Sequence, residues 1–463
     1  MRRRTFLKNT TPAAAGPFLG HVLGANDRIT TAQIGCGGRG LYELSICHRN
    51  PQVSLAAVCD VYQPLIEKAR SRYPGVDGYQ DFRRVLDRKD IDAVFVSTPD
   101  HWHALITVMA CQAGKDVYCE KPLSLTIDDG RKMVQAARKY GRVVQAGSQQ
   151  RSAPHFQRVV DLVQGGHIGK VTLVECWNWT NESPVGIGNP PDEAPPPGLD
   201  WDLYLGPAPE RAYNRNRFIW NYRYFWDYSG GMMTDWGAHH MDVVHWAMGV
   251  DAPLAVAATG GKFVLRDNRE TPDTFEATFE YPGFVARYTH RKTNAHPLMN
   301  RPYGMLFYGD RGTIVVDRRG FEVIPEMRPA AFDPGRNRIA DLLTGAAGNP
   351  PMPRTRRQQA ARRAAVPKAT PLCEPVKVTG VFMEPAIQEV HVQKFLDAIR
   401  TRKRPNADVE IGHRSVTACH LGVIAYRTGR RIRWDRDRER IPGDPEAQAM
   451  TRREYRPPWK LVV

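Results

Sequence analysis

The chain of 463 residues contains no uninterrupted apolar run that reaches the roughly 18 residues a membrane-spanning helix needs. Its eight cysteines (Cys36, Cys47, Cys59, Cys111, Cys119, Cys176, Cys373 and Cys419) include no C-x-x-C pair, and most lie in or beside apolar segments. That placement argues against a disulfide or metal framework and for small buried hydrophobes. No internal repeat is evident. No nucleic-acid-binding module frames the basic residues, although the formal charge is +16. Much of the excess sits in residues 2–8, in residues 354–368 and in a tail with Arg430, Arg431, Arg433, Arg452, Arg453 and Arg456. This pattern reads as solvated or anion-contacting surface, with no nucleic-acid partner. What is present, 42% hydrophobic and 25% charged residues, belongs to a soluble globular chain too long for one ordinary core. Two domains with terminal extensions are expected.

Residues 29–60 read as a strand, a glycine turn, a helix and a second strand ending in a carboxylate. Gly35, Gly37 and Gly40 fit G-x-G-x-x-G. The first glycine permits the tight turn, the second lets backbone approach a pyrophosphate, and the third lets helix and strand pack closely. The helix that follows directs unpaired N–H groups at phosphates, so Gly38 and Arg39 join the candidate cofactor contacts. Asp60 lies twenty residues beyond Gly40, where a carboxylate accepts hydrogen bonds from the adenosine ribose hydroxyls. Val61 and Tyr62 follow it, with no Arg to neutralise a 2′-phosphate, so NAD is favoured over NADP. G-x-G-x-x-G alone is also an ordinary strand-to-helix turn; the flanking strands and the spaced acid carry the nucleotide reading.

Ahead of this unit, residues 1–27 stand apart from the fold. Arg3-Arg4-Thr5-Phe6-Leu7-Lys8 resembles a twin-arginine export signal, with a short, weakly apolar region and a small-residue exit near Gly24 and Ala25. The expectation is a periplasmic protein delivered folded by the twin-arginine machinery; a basic disordered N-terminus on a cytoplasmic protein is the alternative. Over residues 28–148 strand and helix alternate, which predicts an α/β, doubly wound parallel sheet with right-handed crossovers, an N-terminal Rossmann domain. Residues 149–435 predict an α+β domain with an open-faced, mostly antiparallel sheet. A Pro-, Gly- and aromatic-rich excursion over residues 180–250 separates its first two strands, and loops that long are usually functional. Residues 326–378 read as a mobile surface insertion, 390–400 and 412–428 as helices, and 436–463 as a basic C-terminal arm.

Three motifs carry chemistry. Ser97-Thr98-Pro99-Asp100-His101-Trp102-His103 stands at the carboxyl end of the third major strand, the edge where ligands lie in a doubly wound sheet. Thr98, Pro99, His101 and His103 are therefore expected to contact cofactor or substrate; surface polarity is the alternative for a lone His-x-His. Cys119-Glu120-Lys121-Pro122 follows the next strand, where Lys121 can hydrogen-bond a substrate hydroxyl and stabilise a developing alkoxide. Glu120 either pairs with it or touches the nicotinamide ribose, unless the two are a surface pair before a turn proline. In the third motif, residues 230–242, a helix from Thr234 onward would put Asp235 and His239 on one face, so that the carboxylate orients an imidazole that takes a proton from an alcohol. His240 and Asp242 lie close enough to be further substrate contacts, as do Arg223 and Trp226 in the aromatic excursion, although packing is the alternative for residues so dense in aromatics. Without a third well-spaced ligand, no metal is expected.

In joint order and spacing, Gly35-x-Gly-x-x-Gly40, Thr98-Pro-Asp-His-Trp-His103, Glu120-Lys-Pro122 and Asp235-x-Gly-x-His239, with the helical residues 409–428, resemble the Gfo/Idh/MocA oxidoreductase family. The family is named after glucose-fructose oxidoreductase and inositol dehydrogenase. The resemblance implies a C-terminal sheet that meets the nicotinamide, a homodimer or homotetramer built through that sheet, and Lys121, Asp235 and His239 as the catalytic group. The implied activity is NAD-dependent oxidation of a secondary alcohol on a sugar, polyol or glycoside. Export would further require tightly held NAD, regenerated within the site. One rival is a redox-neutral hydrolase or lyase that oxidises transiently and then eliminates; another is a non-catalytic NAD-binding protein.

Overall fold

The computed structural model describes residues 28–328, 370–381 and 386–463. The twin-arginine stretch and residues 329–369 of the expected insertion lie outside the described residues. Strands β1 (Ile29–Ile34), β2 (Val53–Cys59), β3 (Asp77–Tyr79), β4 (Ala93–Val96), β5 (Asp116–Cys119) and β6 (Val144–Ala146) form one parallel sheet in the order β3-β2-β1-β4-β5-β6. Every residue of β4 and β5 is buried, because a parallel sheet is covered on both faces, and β4 accordingly reads as an unbroken apolar run. The cover comes from α1 (Gly38–Arg49), α2 (Gln63–Arg72), α3 (Phe82–Leu86), α4 (Asp100–Gln112) and α5 (Ile127–Lys139). Helix α5 shows the local logic. Thr126 caps its first turn by accepting from Asp129 N, acidic Asp128 and Asp129 follow, and Arg138 and Lys139 close it, each matched to the helix dipole.

After α6 (Pro154–Gln164), β7 (Val171–Trp179) opens the second sheet. The excursion that follows carries α7 (Trp201–Leu205), α8 (Gly231–Asp235) and α9 (Gly237–Met248). It has a small core of its own around Tyr204, Leu205, Tyr222, Phe225, Tyr228 and Met232. It also leans on the first sheet, where Gln63 N bonds Gly198 O at 2.8 Å and Asp200 N bonds Val61 O at 2.9 Å. Strands β8 (Ala255–Gly261), β9 (Thr274–Tyr281), β10 (Phe284–Arg291), β11 (Tyr303–Gly309), β12 (Gly312–Asp317) and β13 (Gly320–Pro325) continue the second sheet. The ends of the expected insertion are structured: β14 (Met327–Arg328) pairs with β15 (Thr370–Pro371), and β16 (Val376–Val378) adds an edge strand beside β13. With β17 (Ile432–Arg433), the order is β16-β13-β12-β11-β7-β10-β9-β8-β17, antiparallel throughout except for β10 against β7. Strict alternation in β9 sends Phe275, Ala277, Phe279 and Tyr281 into the core and leaves Glu276 and Glu280 on the open face.

Two late helices join the sheets. Helix α10 (Ala386–Thr401) returns to the parallel sheet, its Val392, Phe395 and Leu396 packing with Phe95 and Tyr118. Helix α11 (Val409–Thr428), capped by Asp408 and ended by Gly429 in the left-handed conformation, is buried on most sides because it lies between both cores. Val409 and Val416 belong to the first core; Leu421 and Ile424 belong to the second. A short α12 (Pro445–Ala449) leads into the C-terminal arm.

Candidate active site

A cavity of about 450 Å³ opens at the carboxyl edge of the parallel sheet, beneath the excursion. Gly35, Gly37, Gly38, Arg39 and Asp60 line one part, Thr98, Pro99, Glu120 and Lys121 the strand ends, and Trp220, Tyr222, Arg223, Trp236, His239 and Arg318 the far side. The fingerprint behaves as its spacing predicts. Gly35 has φ +91, and a Cβ there would sit 2.6 Å from Ser97 O; at Gly40 a Cβ would collide with the Gly35 carbonyl. At Gly37 and Gly38, by contrast, a Cβ would meet nothing within 4 Å, so the turn presents bare backbone to open space at the start of α1. Asp60 accepts from Cys36 N at 2.7 Å and Tyr62 N at 3.0 Å, leaving lone pairs for ribose hydroxyls. Burial outweighs these two donors and raises its carboxyl to about 6. Thr98 Oγ1 and Gln149 Oε1, both buried on the cavity wall, find no hydrogen-bond partner among the described residues. A glycine cradle at a helix start, a spaced acid and orphaned polar atoms fit a dinucleotide.

At the other end Lys121 Nζ bonds Asp235 Oδ1 at 2.6 Å and Asp235 O at 3.3 Å. Arg223 Nε stands 3.6 Å from the same Oδ1. Burial alone would raise the Asp235 carboxyl, but Lys121 and Arg223 hold it well below the usual carboxylate range. His239 is buried, and burial, Arg318 and Lys121 together push its pKa well down, so the ring is neutral. Arg318 Nη2 lies 3.2 Å from His239 Nε2; a guanidinium only donates, so Nε2 carries the lone pair and Nδ1 the proton.

Residues 29–148 match the family model of the oxidoreductase family, NAD-binding Rossmann fold, and residues 155–332 and 378–461 match the model of its C-terminal alpha/beta domain. The chain belongs to the Gfo/Idh/MocA oxidoreductase family. It is 28% identical over 237 residues to the uncharacterized oxidoreductase YrbE of Bacillus subtilis, which is 51% of this chain and 58% of that protein. It is 31% identical over 124 residues to the inositol 2-dehydrogenase of Salmonella typhimurium, 26% of this chain and 37% of that one. The chain therefore spans less than two thirds of the length of either relative. Its fold is shared with the WlbA dehydrogenase from Bordetella pertussis, crystallised with NADH and UDP-GlcNAcA, at TM-score 0.60 and 18% identity over 88% of this chain and 99% of that one. It is shared equally with levoglucosan dehydrogenase, solved with NADH and levoglucosan, at TM-score 0.60 and 16% identity over 88% and 99%.

Within this Gfo/Idh/MocA framework several expected contacts change. Asp235 does not orient His239: α8 ends at Asp235 and α9 begins at Gly237, so the helix breaks between them and the carboxylate turns to Lys121. The polar neighbour of His239 is Arg318, in the turn between β12 and β13, which no sequence motif marks. His101 and His103 face away from the cavity. His101 Nε2 bonds Tyr204 O at 3.0 Å, and burial takes its pKa down to about 3. His103 bridges Pro122 O and Thr98 O, each at 2.8 Å, and two carbonyl partners require an imidazolium. Burial opposes that charge, but Cys119, Asp100 and the Pro122 carbonyl outweigh it and raise the pKa to about 10. His103 thus ties the Thr98 turn to the Lys121 turn. Asp242 is not a substrate contact either; both its oxygens accept from Arg151 Nε at 2.8 Å, and Oδ1 accepts from Ser415. Trp226 packs against Tyr426 and Arg427, and His240 is buried near Tyr288 and Trp236. Arg223 alone of the four expected substrate residues reaches the cavity. Sequence reasoning also missed Glu43, although a carboxylate on the apolar side of α1 was a signal available in the residues themselves.

Proposed function

We propose that the chain is an NAD-dependent oxidoreductase acting on a secondary alcohol of a sugar, polyol or glycoside. The observation that carries this reading is the meeting of Lys121, paired with Asp235 at 2.6 Å, and neutral His239 in the same cavity as the glycine cradle. Gly37, Gly38 and Asp60 would hold the dinucleotide, and NAD, when bound, supplies the hydride acceptor. Of the three protons on the Lys121 ammonium, two are directed at Asp235, and the third is available to the reacting oxygen, where it steadies a developing alkoxide. His239, unprotonated at Nε2, is the acceptor for the hydroxyl proton, and a substrate oxygen reaching it replaces Arg318 as its partner. Single-turnover nicotinamide absorbance with a panel of sugars and polyols is expected to change in the wild type and not in His239→Ala. No change with any substrate in the wild type defeats the reading.

We further infer export by the twin-arginine route, on residues Arg3 to Lys8, and assembly through the open face of the larger sheet, where Val285 is 37% exposed beside Glu280 and Arg287. Arg3→Lys/Arg4→Lys should then leave the protein in the cytoplasmic fraction. Native mass spectrometry of the exported protein reports subunit number and retained NAD together; a monomer without nucleotide speaks against both.

A further inference from the structure

Helix α1 carries a carboxylate where its packing side calls for an apolar side chain. The Glu43 side chain is 0% exposed and meets two other elements. Ser97, just after β4, donates its hydroxyl to Glu43 Oε2 and accepts from Gln33 Nε2 at 3.0 Å. Arg39 Nε reaches both Glu43 Oε1 at 3.1 Å and Glu120 Oε1 at 3.0 Å, and its Nη2 bonds Glu120 Oε1 at 2.8 Å. Both Oε1 atoms thus lie within 3.1 Å of one nitrogen, Arg39 Nε, so the two buried carboxyls face each other across a single guanidinium. Two ionised carboxylates so placed offer each other only lone pairs and like charge, which favours a proton on one of them.

The second cation nearby, Lys121, favours ionisation of Glu120, the partner that is already charged. Lys121 gives Glu120 only its backbone N–H, at 3.2 Å, because its ammonium is on Asp235. Tyr118 OH donates to Glu120 at 3.4 Å and accepts from Gln388, and Cys47 of α1 is a buried thiol. His391 of α10, the remaining titratable group nearby, is kept neutral by burial, with its pKa at about 4. Burial and then Glu120 push the Glu43 carboxyl well up, while at Glu120 burial is outweighed by Arg39, the neighbouring carboxyl and Lys121 together, which hold it low, so the proton resides on Glu43.

We propose that Glu43 is a positioning residue that works protonated: facing Glu120 as a neutral acid, it fixes Arg39 behind the glycine turn and keeps that turn free of net negative charge where a dinucleotide diphosphate lies. The proposal rests on the reading of this cavity as an NAD site. With the proton in place, Arg39, Glu43 and Glu120 sum to zero; without it they carry one net negative charge beside Gly37 and Gly38, directed at an anionic ligand. The sign follows. Affinity is full while Glu43 is neutral and falls as pH rises through its ionisation, by up to about tenfold per pH unit for a one-proton linkage.

The test is NADH binding to the cofactor-stripped protein, followed by fluorescence from mildly acid to alkaline pH, for wild type and Glu43→Gln. Wild type should weaken on the alkaline side, and Glu43→Gln, which cannot ionise, should not share that loss. Infrared difference spectra of the ligand-free protein should show a protonated carboxylic-acid band that disappears in Glu43→Gln. If that variant fails to fold, the wild-type band decides alone, since it should vanish in step with loss of NADH. Absence of the band, its persistence through NADH release, or an identical alkaline loss in Glu43→Gln overturns the proposal. Failure of wild type to bind NADH at any pH overturns the nucleotide reading instead.

Discussion

One carboxylate, Asp235, serves two cations, Lys121 and Arg223, and this sets what single substitutions report. Asp235→Leu leaves both cations without their counter-charge, and breaking such a pair from one side typically costs about 3–5 kcal/mol. The double variant Lys121→Met/Asp235→Leu removes both halves of the closer pair. It should recover most of the thermal stability lost in Asp235→Leu and yet remain at least about a hundredfold slower in single turnover, because the oxyanion donor is gone. Melting curves alongside stopped-flow absorbance check both halves; recovery of turnover in the double variant would remove Lys121 from the chemistry. The same residues show what was legible in the sequence. Gly35, Gly37, Gly40, Asp60 and Lys121 each sit on the cavity or shape its turn, because their roles are fixed by position at or just beyond a strand end, and His239 reaches the cavity from the first turn of α9. The Asp235-to-His239 link failed because it assumed an unbroken helix, whereas the helix is interrupted at Trp236, directly before Gly237. Arg318 was out of reach for another reason: it meets His239 only because the turn between β12 and β13 folds back across 79 residues of sequence.

Among the elements, the C-terminal arm is the one whose role local pattern could not reveal. Composition marks it as basic, but two of its arginines, Arg453 and Arg456, join the excursion to the parallel sheet. Arg456 bonds Asp202 Oδ1 at 2.6 Å and Gly206 O at 2.9 Å, on and just beyond α7. Arg453 bonds Asp129 Oδ2 at 3.0 Å and His101 O at 2.6 Å, and Tyr455 OH bonds Asp129 Oδ1 at 2.8 Å. Trp459 then packs 4.9 Å from Trp102 and 6.2 Å from Phe82, the two aromatic residues that wall the cavity from behind. The arm therefore holds α7, with its cavity-lining Leu203 and Tyr204, closed against the nucleotide-binding edge. Ending the chain after Thr451 should leave both sheets folded and loosen that closure. The expected outcome is NADH dissociation at least about tenfold faster, or about 1.4 kcal/mol in the bound state, with new proteolytic cleavage confined to the excursion. Unchanged dissociation would show that the excursion closes without the arm.

For the whole molecule, the alternation of strand and helix and the long excursion were legible because each follows from local periodicity, whereas the way α11 joins two cores was not, since its burial on most sides depends on partners far away in sequence. The same joined core buries an unusual number of histidines, and this fixes how the protein should respond to acid. Burial lowers His101, His240, His245 and His290 to about 3, and His391 and His420 to about 4. In the unfolded chain each binds its proton at about 6.5. Between these values the unfolded chain takes up protons that the folded protein refuses, so stability is present above about pH 6.5 and is lost as pH falls below it. Asp60, raised to about 6, Asp100 and Glu43 act in the opposite sense, taking protons in the folded state first. His103 does not contribute to this limb, because its folded pKa of about 10 places its own loss of stabilisation on the alkaline side. His239, His155 and His413 are lowered in the same sense, so nine histidines against three carboxyls leave a net of at least roughly four protons near pH 5, a slope on the order of 5 kcal/mol per pH unit or more. Urea midpoints measured at intervals between neutral and mildly acid pH should therefore fall steeply from about pH 6.5. Replacing His245, whose ring reaches Tyr281 OH at 2.8 Å, with Gln should make the limb shallower by about one proton. A flat profile between neutral pH and pH 5 would mean that these imidazoles are charged inside the fold.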